Sequence, residues 1–244
     1  MKVTLITCTP DAEKIIAAAA KLCYASADIS TVMDGLTEEK TKAFLEMLTS
    51  LGHQSPVEHV SFTFGIEGVS RSLLAQITRH RIASFSVQSQ RYVKENNFTF
   101  VTPPAIAADP AAAAQYEKVM ADIFASYQSL AATLEEKYAA DGMDKKAAEK
   151  KAIEDARYVL PNACTTKMML TMNARSLMHF FRLRCCDRAQ WEIRALAAEM
   201  AKLVKKEAPT LFRLAGPGCV AGACPEGRMT CGKAKEMREL YLGD

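Results

Sequence analysis

With 244 residues, the chain is long enough to bury a sizeable core as one large domain or two small ones. Hydrophobic residues make up 49% of it and charged residues 24%, which is ordinary for a globular protein, and no apolar run approaches the roughly 18 residues that a membrane span needs. The net charge of +3 is too small to indicate a polyanionic partner, and we expect a cytoplasmic protein without a signal peptide, whose eight cysteines are thiols.

The first third of the chain is predicted to contain two strands and three helices. In chain order they are a strand over 3–7, helices over 12–23 and 37–51, a strand over 60–66 and a short helix over 70–78. The second strand is the clearest, because apolar and polar residues alternate with the period of two that buries one face of a strand. Its buried face is predicted to consist of Val60, Phe62, Phe64 and Ile66.

The remaining elements are mostly helical. After a possible strand over 98–101 come a long helix to about residue 140, a charged helix over 145–158, an apolar segment over 168–172, and helices over 174–183 and 189–207. Asp109 and Pro110 are typical of a helix start, with Asp as N-cap and Pro at the first helical position. The mixture predicts an α+β fold, with an antiparallel or mixed sheet packed with several long helices. We expect a single compact domain over 1–244 with a Cys/Gly-rich tail over 215–244.

The segment over 79–91 concentrates cationic and hydroxyl side chains. Arg79, His80 and Arg81 are consecutive, so one helix or strand face cannot hide all three. A solvated basic turn is one interpretation. The other is a phosphate site, since Ser89 and Arg91 follow closely, and hydroxyls and guanidinium groups bind phosphate.

Three further polar groups are candidates for the same site. The first is 53–59, where His53 and His59 lack a third metal ligand of matching spacing, so no metal is expected. The second is Arg157, which an ion pair within its own helix would also explain. The third is 173–184, where Arg175 and His179 share a helix face while Arg184 points about half a turn away. A helix with a basic solvent-facing side is the alternative there.

Three cysteines lie among glycines and prolines near the end of the chain: Cys219, Cys224 and Cys231. Zinc or an iron–sulfur cluster is one interpretation, but the spacings of five and seven positions are not those of a standard ligand pair. We favour a loop that packs against a neighbouring subunit and predict no metal.

These motifs together resemble the flavin-dependent thymidylate synthases. The segment that begins with Arg79-His80-Arg81 is similar to the family signature. Seven residues separate Arg81 from Ser89, and Arg91 follows two positions after Ser89. Ordered matches extend from His53 through Arg157 and 173–184 to about Ile193. The resemblance implies that dUMP is methylated to dTMP with a methylene group from 5,10-methylenetetrahydrofolate, that reduced FAD supplies the hydride, and that NADPH supplies electrons. It also implies a homotetramer whose active sites are shared between subunits, with no nucleic-acid or membrane partner.

The resemblance also implies residue roles. The FAD contacts would be Ser55, Arg79, His80, Arg81, Val87, Asn173, Ala174, Arg175 and His179. The dUMP contacts would be Gln76, Ile77, Thr78, Arg79, Val87, Gln88, Ser89, Gln90, Arg91, Arg157 and Arg184. Arg184 is the expected catalytic residue, because a fixed cation stabilises negative charge that develops on the uracil ring. His53 is expected near the folate and flavin rings.

Two positions depart from the family pattern. Val87 stands where many relatives carry an acidic residue, and Arg188 where some carry histidine. Ser89 is not expected to be a nucleophile, because no base flanks it, and Cys164, Cys185 and Cys186 lack the pattern of a classical thymidylate synthase. The competing functions are a non-enzymatic nucleotide- or RNA-binding protein and an enzyme that acts on another pyrimidine nucleotide.

Overall fold

The computed structural model describes residues 1–90 and 99–243. Two predicted positions therefore lie outside the described residues: Arg91, from the predicted dUMP contacts, and Phe98, from the possible strand at 98–101. Within the described ranges the chain forms a four-stranded antiparallel sheet and ten α-helices, which confirms the α+β prediction. None of these helices combines the length and the apolar character that crossing a membrane requires.

The sheet has the strand order β1-β2-β4-β3. Its strands are β1 (Lys2–Cys8), β2 (Ser61–Ser70), β3 (Ser84–Val87) and β4 (Thr165–Asn173). The period-two prediction for β2 is confirmed, since Phe62, Phe64 and Ile66 are all fully buried.

The helices agree with most of the predicted ranges. They are α1 (Ala12–Leu22), α2 (Ile29–Asp34), α3 (Glu38–Ser50), α4 (Arg71–Ile77), α5 (Pro104–Ala107), α6 (Pro110–Ala140), α7 (Lys145–Ala156), α8 (Ala174–Arg184), α9 (Trp191–Glu207) and α10 (Ala234–Leu242). The predicted cap of α6 is confirmed, because the Asp109 carboxylate accepts hydrogen bonds from the amides of Ala111 and Ala112.

Backbone proximity divides the chain into two units. The first comprises residues 1–66, 76–85 and 169–244, and the second comprises 67–75 and 86–168. In the first unit, α9 packs on β1 and α8, and the rings of Phe62 and Phe181 each meet Phe212 edge-on. In the second, α6 packs on α7 around Tyr127, Ala131 and Ala156.

One local prediction was wrong. At 98–101 the described residues form only an isolated antiparallel bridge, between Phe100 and Cys164. At Ser55-Pro56 the chain forms a short 3₁₀ helix (Ser55–His59), with the proline in its first turn. Proline is tolerated there because the first turn of a helix does not need its missing N–H.

Candidate active site

A cleft of about 580 Å³ in the first unit collects most of the predicted cofactor residues. Three segments line it: the 3₁₀ helix with Gln54 before it, residues 79–82, and the first three turns of α8. Its volume lies in the range of small-molecule and cofactor sites.

Helix α8 presents one basic face to this cleft. Asn173 caps its N-terminus, and the Asn173 side chain accepts a hydrogen bond from the Ser176 amide at 2.8 Å. Its apolar face, Leu177, Phe180 and Phe181, is fully buried. The opposite face carries Arg175, His179 and Arg182 at positions i, i+4 and i+7, and all three line the cleft. Burial of the apolar face thus determines where the basic face points.

The Arg79-His80-Arg81 segment enters the cleft directly after α4. The amides of Arg79 and His80 donate to the carbonyls of Gln76 and Ile77, at 3.4 and 3.1 Å, and so close the last turn of α4. Arg79 and Arg81 are exposed, whereas His80 is partly buried. The three residues line the same cleft as the basic face of α8.

Positive charge dominates the cleft. Among the described residues that line it, Glu58 is the single carboxylate. Four guanidinium groups stand against it, those of Arg79, Arg81, Arg175 and Arg182. Glu58 forms an ion pair with Arg175, and both side chains are about half exposed, at 45% and 50%. A pair this exposed contributes at most about 1 kcal/mol, so an anionic ligand can compete for Arg175.

His80 has an unusual environment for a histidine. Burial, then the Arg184 guanidinium and then His179, lower the pKa of His80 to about 4. The Phe180 ring meets it edge-on at 5.0 Å between centroids. Arg184 Nε donates to His80 Nε2 at 3.3 Å, which requires that this nitrogen carry no proton. His80 is therefore neutral at pH 7 and acts as an acceptor for Arg184.

The predicted FAD contacts divide into those that line the cleft and those that do not. Six of the nine line it: Arg79, His80, Arg81, Asn173, Arg175 and His179. Ser55 is exposed in the 3₁₀ helix next to the lining residue Gln54, Ala174 is fully buried under the start of α8, and Val87 belongs to the second unit.

Gln54, Glu58 and Arg182 also line the cleft; they lie in the candidate segments 53–59 and 173–184, but no contact was assigned to them from the sequence. Arg182 could have been found from its spacing of seven from Arg175 and three from His179 on one helix face. The hydrogen bond between Glu58 and Arg175 could not have been found from the sequence, because the two residues are 117 positions apart.

The predicted dUMP contacts lie in both units, and each set is described by itself. In the first unit, Gln76 and the buried Ile77 end α4 and Thr78 follows them. In the second, Val87 ends β3, and the Gln88 amide donates to Lys167 O at 3.0 Å, while Arg71 Nη2 donates to Gln88 O at 3.3 Å. These bonds fix the backbone that leads to Ser89 and Gln90. Arg157 Nε donates to Glu154 O at 3.1 Å.

His53 and Arg184 take separate positions. His53 is exposed just before the 3₁₀ helix, and its amide donates to Leu48 O. Arg184 ends α8 and is not among the described residues that line the cleft. Its offset of half a turn from Arg175 was predicted from the nine-residue spacing.

A larger cavity, of about 880 Å³, is a weaker candidate for this chemistry. Its walls carry both signs of charge, with five carboxylates and three cations: Asp11, Glu13, Glu38, Glu46 and Glu207 against Lys14, Lys42 and Arg213. It contains none of the predicted site residues. An anionic ligand is therefore better matched by the smaller cleft.

Fold and cleft together define an α+β protein whose cleft is lined by four guanidinium groups, which are suited to a phosphate-bearing ligand. The chain belongs to the Thy1 family, described as thymidylate synthase complementing protein, whose model matches residues 4–210.

Relatives named flavin-dependent thymidylate synthase match nearly the whole chain. One from Clostridium tetani is 57% identical over 242 residues, which is 99% of this chain and 97% of the relative. One from Geobacter sulfurreducens is 51% identical over 243 residues, which is 99% of this chain and 98% of the relative. One from Nitratidesulfovibrio vulgaris is 47% identical over 239 residues, which is 95% of this chain and 94% of the relative.

Proposed function

We propose that the chain is an FAD-dependent thymidylate synthase, which methylates dUMP to dTMP with the methylene group of 5,10-methylenetetrahydrofolate and electrons from NADPH. The family and the names of its relatives support this reaction. The observation that carries it is the cleft in which four guanidinium groups face one carboxylate.

The residues of the cleft fit FAD. The pyrophosphate of FAD is a dianion, and the excess of guanidinium groups matches it through charge-assisted hydrogen bonds. We assign this contact to Arg79, Arg81 and Arg175, with Arg182 added from the structure. His80, neutral in its environment, suits a polar contact without adding charge. When bound, FAD supplies the hydride for the reductive step.

The nucleotide contacts are proposed on the segments next to these. Gln76 to Arg79 and Val87 to Arg91 are assigned to dUMP, with Arg157 as a further phosphate or base contact. Hydrogen bonds to a charged phosphate contribute about 1.5–3 kcal/mol each, so two arginines would provide several kcal/mol. Arg184, held by His80, is assigned to the uracil ring, where a fixed cation stabilises negative charge that develops during reaction.

We further infer a cytoplasmic homotetramer of single-domain subunits, each with the 215–244 tail, whose active sites are shared between subunits. The membership of the chain in this family supports the inference. Light scattering of the purified protein should give the mass of four 26.8 kDa chains. A monomer that is active at assay concentration would contradict shared sites.

FAD titration tests the cleft directly. Arg81→Ala should weaken FAD binding roughly ten- to a hundredfold, because one hydrogen bond to a charged group is lost. The matched control is Arg213→Ala, an exposed arginine in the larger cavity, which should leave FAD affinity unchanged. Equal losses in both variants would show that net charge matters and the cleft does not.

The reaction itself is tested by an anaerobic assay with dUMP, methylenetetrahydrofolate, FAD and NADPH. Formation of dTMP with release of tritium from uracil C5 is expected. Release from another pyrimidine nucleotide only would favour a different substrate. Absence of FAD binding, together with strongly salt-dependent RNA binding, would favour the non-enzymatic alternative.

A further inference from the structure

Helix α8 ends at Arg184, the residue assigned to the uracil ring, and a tight turn follows directly. Residues 185–188 form this exit turn. The Cys185 amide donates to Phe181 O at 2.9 Å, which joins the exit turn to the end of α8. Any contact that holds the exit turn therefore also restrains the backbone from which the Arg184 side chain extends.

The Asp187 carboxylate links the exit turn to the tail over 215–244 and to α9. It accepts hydrogen bonds from Lys233 Nζ of the tail, at 2.9 Å, and from Arg194 Nη1 of α9. The Asp187 side chain is the least exposed of the three, at 23% against 36% for Arg194 and 47% for Lys233. The hydrogen bond from Lys233, followed by the charge of Arg194, lowers the pKa of Asp187, so the carboxylate is ionised at pH 7 and holds both cations.

Arg188 makes a second link between the exit turn and the tail. Its Nη1 donates to Met229 O at 2.5 Å and lies 3.7 Å from Glu226 Oε2. Because the acceptor at Met229 is a backbone carbonyl, this bond ties the exit turn to the main chain of the tail. The exit turn is thus bonded to the tail at two consecutive residues.

The tail is itself fixed, by bonds within it and by a bond to α9. Arg238 of α10 donates to Cys219 O and Gly222 O, at 3.0 and 2.7 Å. Lys205 Nζ of α9 donates to Tyr241 O at 2.6 Å and lies 5.6 Å from the centroid of the Tyr241 ring. A support that is held in this way can restrain the exit turn.

Only a small cavity, of about 20 Å³, lies between the exit turn and the loops of the tail. Cys186 of the exit turn lines it together with Cys219, Cys224 and Cys231 of the tail. A cavity of this size holds about one water molecule. The exit turn therefore packs closely against the tail, in addition to its two bonds.

We propose that the tail is a positioning element for Arg184, because it holds the exit turn through Asp187 and Arg188 and so directs the Arg184 guanidinium. Arg184 Nε also donates to His80 Nε2 at 3.3 Å, so the side chain is held at its tip and its backbone is held by the exit turn. Asp187 and Arg188 are not among the described residues that line the cleft, and they act through Arg184. This role rests on the proposed function, since it is there that Arg184 is assigned to dUMP.

Catalysis by a fixed cation is sensitive to small displacements. A misplacement of about 1 Å can lower a rate about a hundredfold. A donor that must reorient in each turnover also loses the advantage of preorganisation. The tail lies beyond residues 4–210, the range that the family model matches, so this role does not follow from family membership.

Detaching the exit turn from the tail tests this role in the full-length protein. The double variant Arg188→Ala with Lys233→Ala removes both bonds to the tail, and we expect kcat at saturating dUMP and FAD to fall about tenfold. Arg188→Lys with Lys233→Arg keeps both cations and should restore most of the activity. The matched control is Lys235→Ala, at an exposed lysine that pairs with Glu239 within α10, and it should leave kcat unchanged.

Nitrogen-15 NMR of histidine-labelled protein gives a second readout, which does not need turnover. Because Arg184 Nε donates to His80 Nε2, the proton of the neutral ring is on Nδ1. When the exit turn is detached, Arg184 no longer occupies Nε2, and this nitrogen can take the proton instead. At pH 7 the double variant should therefore show His80 protonated at Nε2, whereas Lys235→Ala should keep the original tautomer.

An unchanged His80 tautomer in the double variant overturns the proposal. So does a kcat within about twofold of that of the unaltered protein, or an equal loss of kcat in Lys235→Ala. If the unaltered protein forms no dTMP, the proposed function fails, whereas the tautomer still decides whether the tail holds Arg184.

Discussion

Replacing Arg184 by alanine is expected to lower kcat by about two to three orders of magnitude, while FAD affinity changes little. Removing one preorganised donor from a site where charge develops has about that cost. FAD affinity should persist because Arg184 is not among the described residues that line the cleft. Single-turnover kinetics at saturating dUMP and FAD, with a separate flavin titration, distinguish the two effects.

Arg175→Ala is the matched control, because it changes an arginine at the other end of the same helix. Arg175 lines the cleft, so its loss should weaken FAD and leave kcat at saturating FAD nearly unchanged. The opposite outcome, in which Arg184→Ala loses FAD and turnover to the same extent, would remove Arg184 from its proposed catalytic role.

Features set by local periodicity were predictable from the sequence. The alternation in β2 predicted its buried face, and Asp109-Pro110 predicted the start of α6, because these patterns depend on neighbours along the chain. The prediction of a strand at 98–101 was wrong for the opposite reason. Strand formation there depends on a partner distant in sequence, and Phe100 finds only a single bridge to Cys164.

The same distinction applies to the site. Helix spacing predicted that Arg175 and His179 share a face and that Arg184 points elsewhere, and the structure agrees. Sequence spacing could not predict that Glu58 pairs with Arg175, or that Cys186 lines the same small cavity as the cysteines of the tail. Both arrangements exist only after distant segments of the chain pack together. The family resemblance supplied the ligand names, whereas charge and spacing alone predicted anion binding.

Replacing His80 by leucine is expected to lower kcat about ten- to a hundredfold, even at saturating FAD. Leucine removes the acceptor that holds Arg184 Nε, and a hydrogen bond to a charged group is worth about 1.5–3 kcal/mol. His80→Gln keeps an acceptor oxygen within reach and should restore most of the activity. Similar losses in both variants would show that the ring itself matters more than the acceptor.

The pH dependence of stability gives an independent test of the same contact. The folded-state pKa of His80 is about 4, below its ordinary value of 6.5. As the pH falls through this window the unfolded chain takes up a proton that the folded protein does not, so stability declines from about pH 6.5 downward. Because His80 is only partly buried, solvent screening weakens this effect, and between pH 7 and 5 it stays below about 2 kcal/mol. In urea unfolding of the flavin-free protein, His80→Leu should therefore lose less stability than the unmodified chain over that interval. An identical loss would mean that His80 titrates normally and is protonated below pH 6, where it could not accept a hydrogen bond from Arg184.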